Sequence, residues 1–156
     1  MQRHRPHPAT WPLVLSLLSP VSVAAPDTQQ ALWEERLLVL AAPAATDALV
    51  IEKQARLAVR GDAIEDRRLR IYELYADQGR IDGEPLTAKQ LRDLRRHFGL
   101  TADSRELILV GLDGGIKRRD RLDTPLRDVF LQIDSMPMRQ QEIENRRRAG
   151  LPVTPP

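Results

Sequence analysis

Lys117, Arg118, Arg119 and Arg121 fall within five consecutive positions, and Arg139 follows them in the chain. Grouped guanidinium heads can take a carboxylate or a phosphate in bidentate fashion. On an extended strand Lys117 and Arg119 leave one face and Arg118 the other. A chain reversal at Pro137 would bring Arg139 toward them. Lys117, Arg118, Arg119 and Arg139 are therefore read as a surface site for an anionic partner, such as an acidic protein or an anionic envelope polymer. A row of charge also guards a sheet edge against pairing with another chain. Arginine outnumbers lysine 21 to 3, so composition accounts for part of the clustering.

Other chemistries find less material. The chain has no cysteine, which excludes every reaction that needs a thiolate. His97 is the only histidine outside the first few residues, where His4 and His7 lie. Zinc sites generally need several His or Cys ligands, so no metal is expected, and His97 reads as a helix-end partner of the dipole. The carboxylate pairs Glu34-Glu35 and Glu65-Asp66 would need a pocket that shifts their pKa values before they could exchange protons. Ser104 and Ser135 have no histidine placed for them by any motif. Gly114-Gly115 joins two strands and opens no helix, so it is not a phosphate loop. No catalytic residue and no cofactor are assigned.

Apolar patterning sets where the basic row sits. Leu107 to Leu112 is apolar on both alternating faces, which suits a strand covered on two sides. Asp113-Gly114 predicts a type I′ turn, and Ile116 to Arg121 returns as a charged edge strand. Thr124 caps a helix that has Pro125 at its first position. Its stripe is Leu126, Val129, Phe130 and Ile133, and Pro137 ends it. Earlier in the chain, Leu37 to Ala42 is a second central strand. Thr46 and Asp47 offer a cap for a helix over Ala48 to Val59, and Asp62 to Arg67 is a polar connection. Arg68 to Leu74 reads as a second edge strand and Ala76 to Glu84 as a surface loop. Thr87 and Gln90 make a capping box for a helix with the stripe Leu91, Leu94 and Phe98, which Gly99 stops. After Met138 a polar helix runs to about Arg148 and frays at its prolines.

These elements predict an α/β fold with a four-stranded mixed sheet of order 4-3-1-2 and helices on both faces, because crossovers are right-handed and the charged strands belong at the edges. That is the minimal thioredoxin-like arrangement. Its reactive cysteine would follow the first strand, where this chain has Ala42 to Thr46. Thr46, which could mimic a peroxidase threonine, reads there as a helix cap.

The amino terminus carries Arg3 and Arg5, an apolar run from Trp11 to Val23 and the small residues Ser22-Val23-Ala24. This is the pattern of a secretory signal peptide over 1–24, with an uncleaved anchor as the alternative. The division that follows is a lead-in over 25–35, a thioredoxin-like domain over 36–138 and a polar tail over 139–156. Loss of Arg3 and Arg5 leaves 22 basic against 22 acidic residues, so the mature chain has no surplus of positive charge to attract nucleic acid. No membrane span is expected in it. The expected location is the periplasm or the extracellular space.

LILVGLDGGIKRR (Leu107 to Arg119) and LRDVFLQIDSMPMRQQEI (Leu126 to Ile143), with RLLVLAAP (Arg36 to Pro43) and LRRHFGL (Leu94 to Leu100) before them, resemble a family of domains of unknown function in exported bacterial proteins. Related domains occur in sushi-repeat and coiled-coil extracellular-matrix proteins of animals. The resemblance implies a thioredoxin-like, peroxiredoxin-related fold and no established activity. The functional expectation is a non-catalytic interaction module; a hydrolase or transferase with an unrecognised site is the alternative.

Overall fold

Alternation along two apolar strands builds the centre of the molecule. The computed structural model describes residues 34–156; the expected signal peptide and the lead-in as far as Trp33 lie outside the described residues. β1 (Arg36–Ala41) is buried along its whole length, and β5 (Glu106–Val110) pairs antiparallel to it, Leu38 opposite Leu109. Leu38, Leu40, Leu107 and Leu109 face one layer of helices. Leu37, Val39, Ile108 and Val110 face the other side of the sheet.

The first layer is formed by α1 (Ala48–Ala58), α2 (Gly61–Asp66) and α4 (Leu126–Ser135). Val50, Leu57, Ala63, Leu126, Val129, Phe130 and Ile133 enter one core with the strand residues. On the opposite face α3 (Ala88–His97) contributes Leu91 and Leu94, with Phe98 just beyond it. The expected capping box is present: Gln90 N donates to Thr87 Oγ1 and Thr87 N to Gln90 Oε1. Gly99 follows at φ +64, the left-handed position that a helix stop favours.

Among the described residues the sheet has six strands, not four. β2 (Leu69–Leu74) runs parallel to β1, and β6 (Ile116–Arg121) runs antiparallel to β5. Beyond β2 lie β3 (Gly79–Ile81) and β4 (Glu84–Pro85), which give the order β4-β3-β2-β1-β5-β6. The expected surface loop at Ala76 to Glu84 is thus a hairpin, and β2 is an inner strand. Elements of two and three residues are too short to show a period. Gly79 is needed there because a Cβ would stand 2.9 Å from the Glu73 carbonyl oxygen and from Leu91 Cδ1.

The turns also differ from expectation. Asp82 and Gly83 both have positive φ, +50 and +88, so the type I′ turn is the one joining β3 to β4. At the β5–β6 connection Gly114 has φ +74 but Asp113 is not in the left-handed region. Gly114 N donates to the Gly111 oxygen and Gly111 N to the Gly115 oxygen, a three-residue loop closed by a bulge. Pro125, not Thr124, is the N-cap of α4, with no side-chain cap. Asp47 caps α1 through a bond from Leu49 N at 3.0 Å. The polar connection at Asp62 to Arg67 is largely α2. Pro137 opens α5 (Pro137–Arg148) as well as following α4.

Candidate functional site

The basic row lies on β6 at one edge of the sheet; Arg118 and Arg119 take opposite faces, while the pairing register shifts at Lys117, which has no partner on β5. Arg118 turns toward α4, where its guanidinium donates to Gln132 Oε1 at 3.0 Å and pairs with Asp120. Arg119 turns to the other face, donating to the Phe98 carbonyl at 2.7 Å and pairing with Glu106. Lys117 reaches Asp113 at 2.6 Å, and Arg121 reaches Asp123 at 3.2 Å. Asp113 is held below the usual carboxylate range by the Lys117 hydrogen bond and the Gly115 N–H. Every cation of the row therefore has a carboxylate of this chain beside it. The Arg118–Asp120 pair is half-buried, and exposed pairs such as Arg121–Asp123 are worth roughly 0–1 kcal/mol each.

Arg139 belongs to a different cluster, and this corrects its expected place on the surface. Its side chain is 0% exposed. Nη2 donates to Asp66 Oδ2 at 2.5 Å and Nη1 to the Asp66 carbonyl at 2.7 Å. Nε donates to Asp134 Oδ1 at 3.2 Å. Arg67, also fully buried, reaches Asp134 at 2.6 Å and lies 4.8 Å over the Phe130 ring. Arg36 pairs with Glu142 at 3.1 Å and donates to the Arg67 carbonyl. The chain does reverse at Met136-Pro137, but α5 then packs against the ends of α2 and β1. Three buried arginines thus face Asp66, Asp134 and Glu142, where planar forks suit carboxylates and carbonyls together. Burial alone would raise the Asp66 and Glu142 carboxyls. For Asp66 the hydrogen bonds from Arg139 and Thr154 N–H outweigh it, and for Glu142 those from Arg36 and Arg68 do. Both end below their ordinary range. The tail beyond α5 joins this cluster: Thr154 N donates to Asp66 Oδ2 at 3.1 Å and Arg67 to the Thr154 carbonyl.

Other positions weighed from the sequence have structural partners. Asp47, capping α1 just after Thr46, pairs with Arg105 at 3.0 Å. Ser104 Oγ accepts from Thr101 N, and Ser135 donates to the Gln132 carbonyl. His97 packs edge-on against Phe98. No group of three or more His, Cys, Asp or Glu side chains converges on a metal-sized point among the described residues. No described helix is long and apolar enough to cross a membrane.

A second charged recess has no counterpart in the sequence reading. It is a cleft of about 320 Å³ between α1 and the start of α4, lined by Glu52, Lys53, Arg56, Arg60, Asp123 and Arg127 among others. Lys53, Arg56 and Arg60 follow at spacings of three and four, a basic stripe visible in the sequence. Arg127 comes from a distant element, and no local pattern links it to them.

The model of a domain of unknown function (DUF4174) matches residues 27–142. A sushi repeat-containing protein, SRPX2 of Xenopus laevis, is 25% identical over 114 residues, covering 70% of this chain and 25% of the relative. The chain thus spans about a quarter of the length of that curated relative. No solved structure matches it.

Proposed function

Since the chain belongs to the DUF4174 family, whose description names no activity, we propose from its own geometry that it is an exported, non-catalytic interaction module on a thioredoxin-like scaffold. Support for the scaffold comes from the run β6-β5-β1-β2, with β1 and β2 parallel, and from helices on both faces. Support for export comes from the basic start, apolar run and small-residue end of 1–24. Mass spectrometry of protein from its native host checks this: the mature chain is expected to begin at Ala25 or Pro26 in the periplasm or medium. Recovery of intact Met1 in the cytoplasm overturns it.

The observation that carries the binding role is the position of the basic row. Among the described residues β6 pairs on one side only, so Lys117, Arg118 and Arg119 stand along an open edge. An acidic protein or anionic envelope polymer would exchange its carboxylates or phosphates for those of Asp113, Asp120 and Glu106. Exchange of exposed pairs is cheap and salt-sensitive, because such charges are screened over about 8–10 Å. A second reading has a specific observation in its favour: each of these cations is already paired, as an edge guard would be.

Affinity capture from periplasmic extract separates the two. The module reading expects a partner that binds the mature protein, elutes with salt and is lost with Arg118→Glu plus Arg119→Glu. Undiminished capture by that variant, with its thermal midpoint near the wild type, leaves the edge guard. Arg139 is unsuited to such a test, since reversing a buried charge disrupts the fold itself.

A further inference from the structure

We propose that the cleft between α1 and the amino-terminal end of α4 is a binding site for a phosphate-type anion, either free phosphate or the head of a phosphomonoester. This site is separate from the β6 edge and stands or falls independently of it.

Four cations line the cleft, Lys53, Arg56, Arg60 and Arg127, against two carboxylates, Glu52 and Asp123. Both carboxylates are already engaged at its margin. Glu52 pairs with Arg56 at 2.8 Å, and Asp123 pairs with Arg121 at 3.2 Å. Arg60 and Arg127 make no ion pair among the described residues. Arg60 lies 6.0 Å over the Phe130 ring, a weak contact at that distance. With Glu52 answering Arg56, the cleft keeps a local excess of positive charge on Lys53, Arg60 and Arg127.

Lys53 fixes the floor. It is only 5% exposed, and among the described residues its ammonium makes one hydrogen bond, from Nζ to the Thr124 carbonyl at 2.5 Å. An ammonium has three donors, so two are left for a ligand. Burial pushes the Lys53 ammonium below its ordinary value, with Arg56 adding to that, against the opposing pull of Glu52 and Asp123. A bound anion would relieve this penalty by supplying the missing counter-charge.

The start of α4 forms part of the wall. Pro125, Leu126 and Arg127 line the cleft. The helix has no side-chain cap; Asp128 N donates to the Pro125 carbonyl, and the Leu126 and Arg127 N–H groups ahead of it have no intrahelical partner. A ten-residue helix favours an anion at that end. Helix end, buried ammonium and two unpaired guanidinium groups come from separate elements and meet at one cleft. Its volume, at the low end of the roughly 300–1,000 Å³ of small-molecule sites, leaves room beyond a lone phosphate.

The test is isothermal titration of the mature protein with inorganic phosphate and with glycerol 3-phosphate, against sodium chloride at matched ionic strength. Saturable one-site binding is expected in wild type and is expected to weaken by about tenfold or more in Arg60→Gln plus Arg127→Gln, the loss of charge-assisted hydrogen bonds. Both residues are exposed, so this variant keeps the fold. Tighter binding of the ester points to a phosphorylated small molecule; equal binding points to free phosphate. Amide shifts at Arg127 and Lys53 on titration are expected to mark the location. Heat no greater than that from sodium chloride, or undiminished binding by the double variant, overturns the proposal.

Discussion

Asp66 joins α2 to α5 and to the carboxy-terminal tail. It accepts from Arg139, from Thr154 N–H and stands 3.0 Å from Arg146 Nε. Removing one partner of a buried pair leaves the other charge uncompensated, which costs about 3–5 kcal/mol. Asp66→Asn is therefore expected to lower stability by about that amount in urea unfolding, and an unchanged midpoint would mean that Arg139 finds another anion. The same carboxylate, with Glu142, sets the acid response. Both have folded values below their ordinary 3.8 and 4.5. Such groups stabilise the fold above the unfolded value and lose that contribution as pH falls through the folded one. Stability is thus expected to be flat in this respect near neutrality and to decline below about pH 4.5, progressively to lower pH. Asp66→Asn is expected to flatten the acid limb; an identical limb in the variant would place the titration elsewhere.

At the scale of elements, α4 and the β3–β4 hairpin make different kinds of contribution. α4 secures the sheet through its apolar stripe, and Phe130 is fully buried in it beneath Arg67. Phe130→Ala is expected to cost about 3–5 kcal/mol, read as a lowered unfolding midpoint; no change would mean that α4 does not pack as described. Its Gln132 also clamps the edge strand, donating to the Lys117 carbonyl at 2.9 Å while accepting from Arg118. The hairpin protects the opposite edge, because β3 covers β2 and β4 ends the sheet after two residues at a proline. Gly79→Ala forces a Cβ against the Glu73 carbonyl and Leu91. It is expected to loosen β3 and raise hydrogen exchange at β2, whose edge would open. Unaltered protection of the Glu73 and Tyr75 amides, which face β3, would show that the hairpin absorbs the methyl group.

At the scale of the whole molecule, the amino end of the sheet, α5 and the carboxy-terminal tail form one unit through the arginine network. Truncation after Gly150 removes the Thr154 contacts to Asp66 and Arg67. This is expected to cost about 1–3 kcal/mol, the penalty for stripping partners from buried polar groups, in an equilibrium unfolding experiment. A truncated chain as stable as the full one would show the tail to be passive. The sequence by itself determined the two central strands, the capping box at Thr87 and Gln90, the stripe of α4 and the exclusion of thiolate chemistry. Each depends on alternation, helical spacing or residue type within a dozen positions, and these are local properties of the chain. Tertiary structure alone decided the rest. Arg36, Arg67 and Arg139 look like surface residues in the sequence because an isolated guanidinium prefers water. Their burial is possible only because Asp66, Asp134 and Glu142 arrive from other elements to match them. Likewise Arg127 joins Lys53 and Arg60 at one cleft, and Arg139 leaves the basic row, because charge acts through space while sequence records only order along the chain.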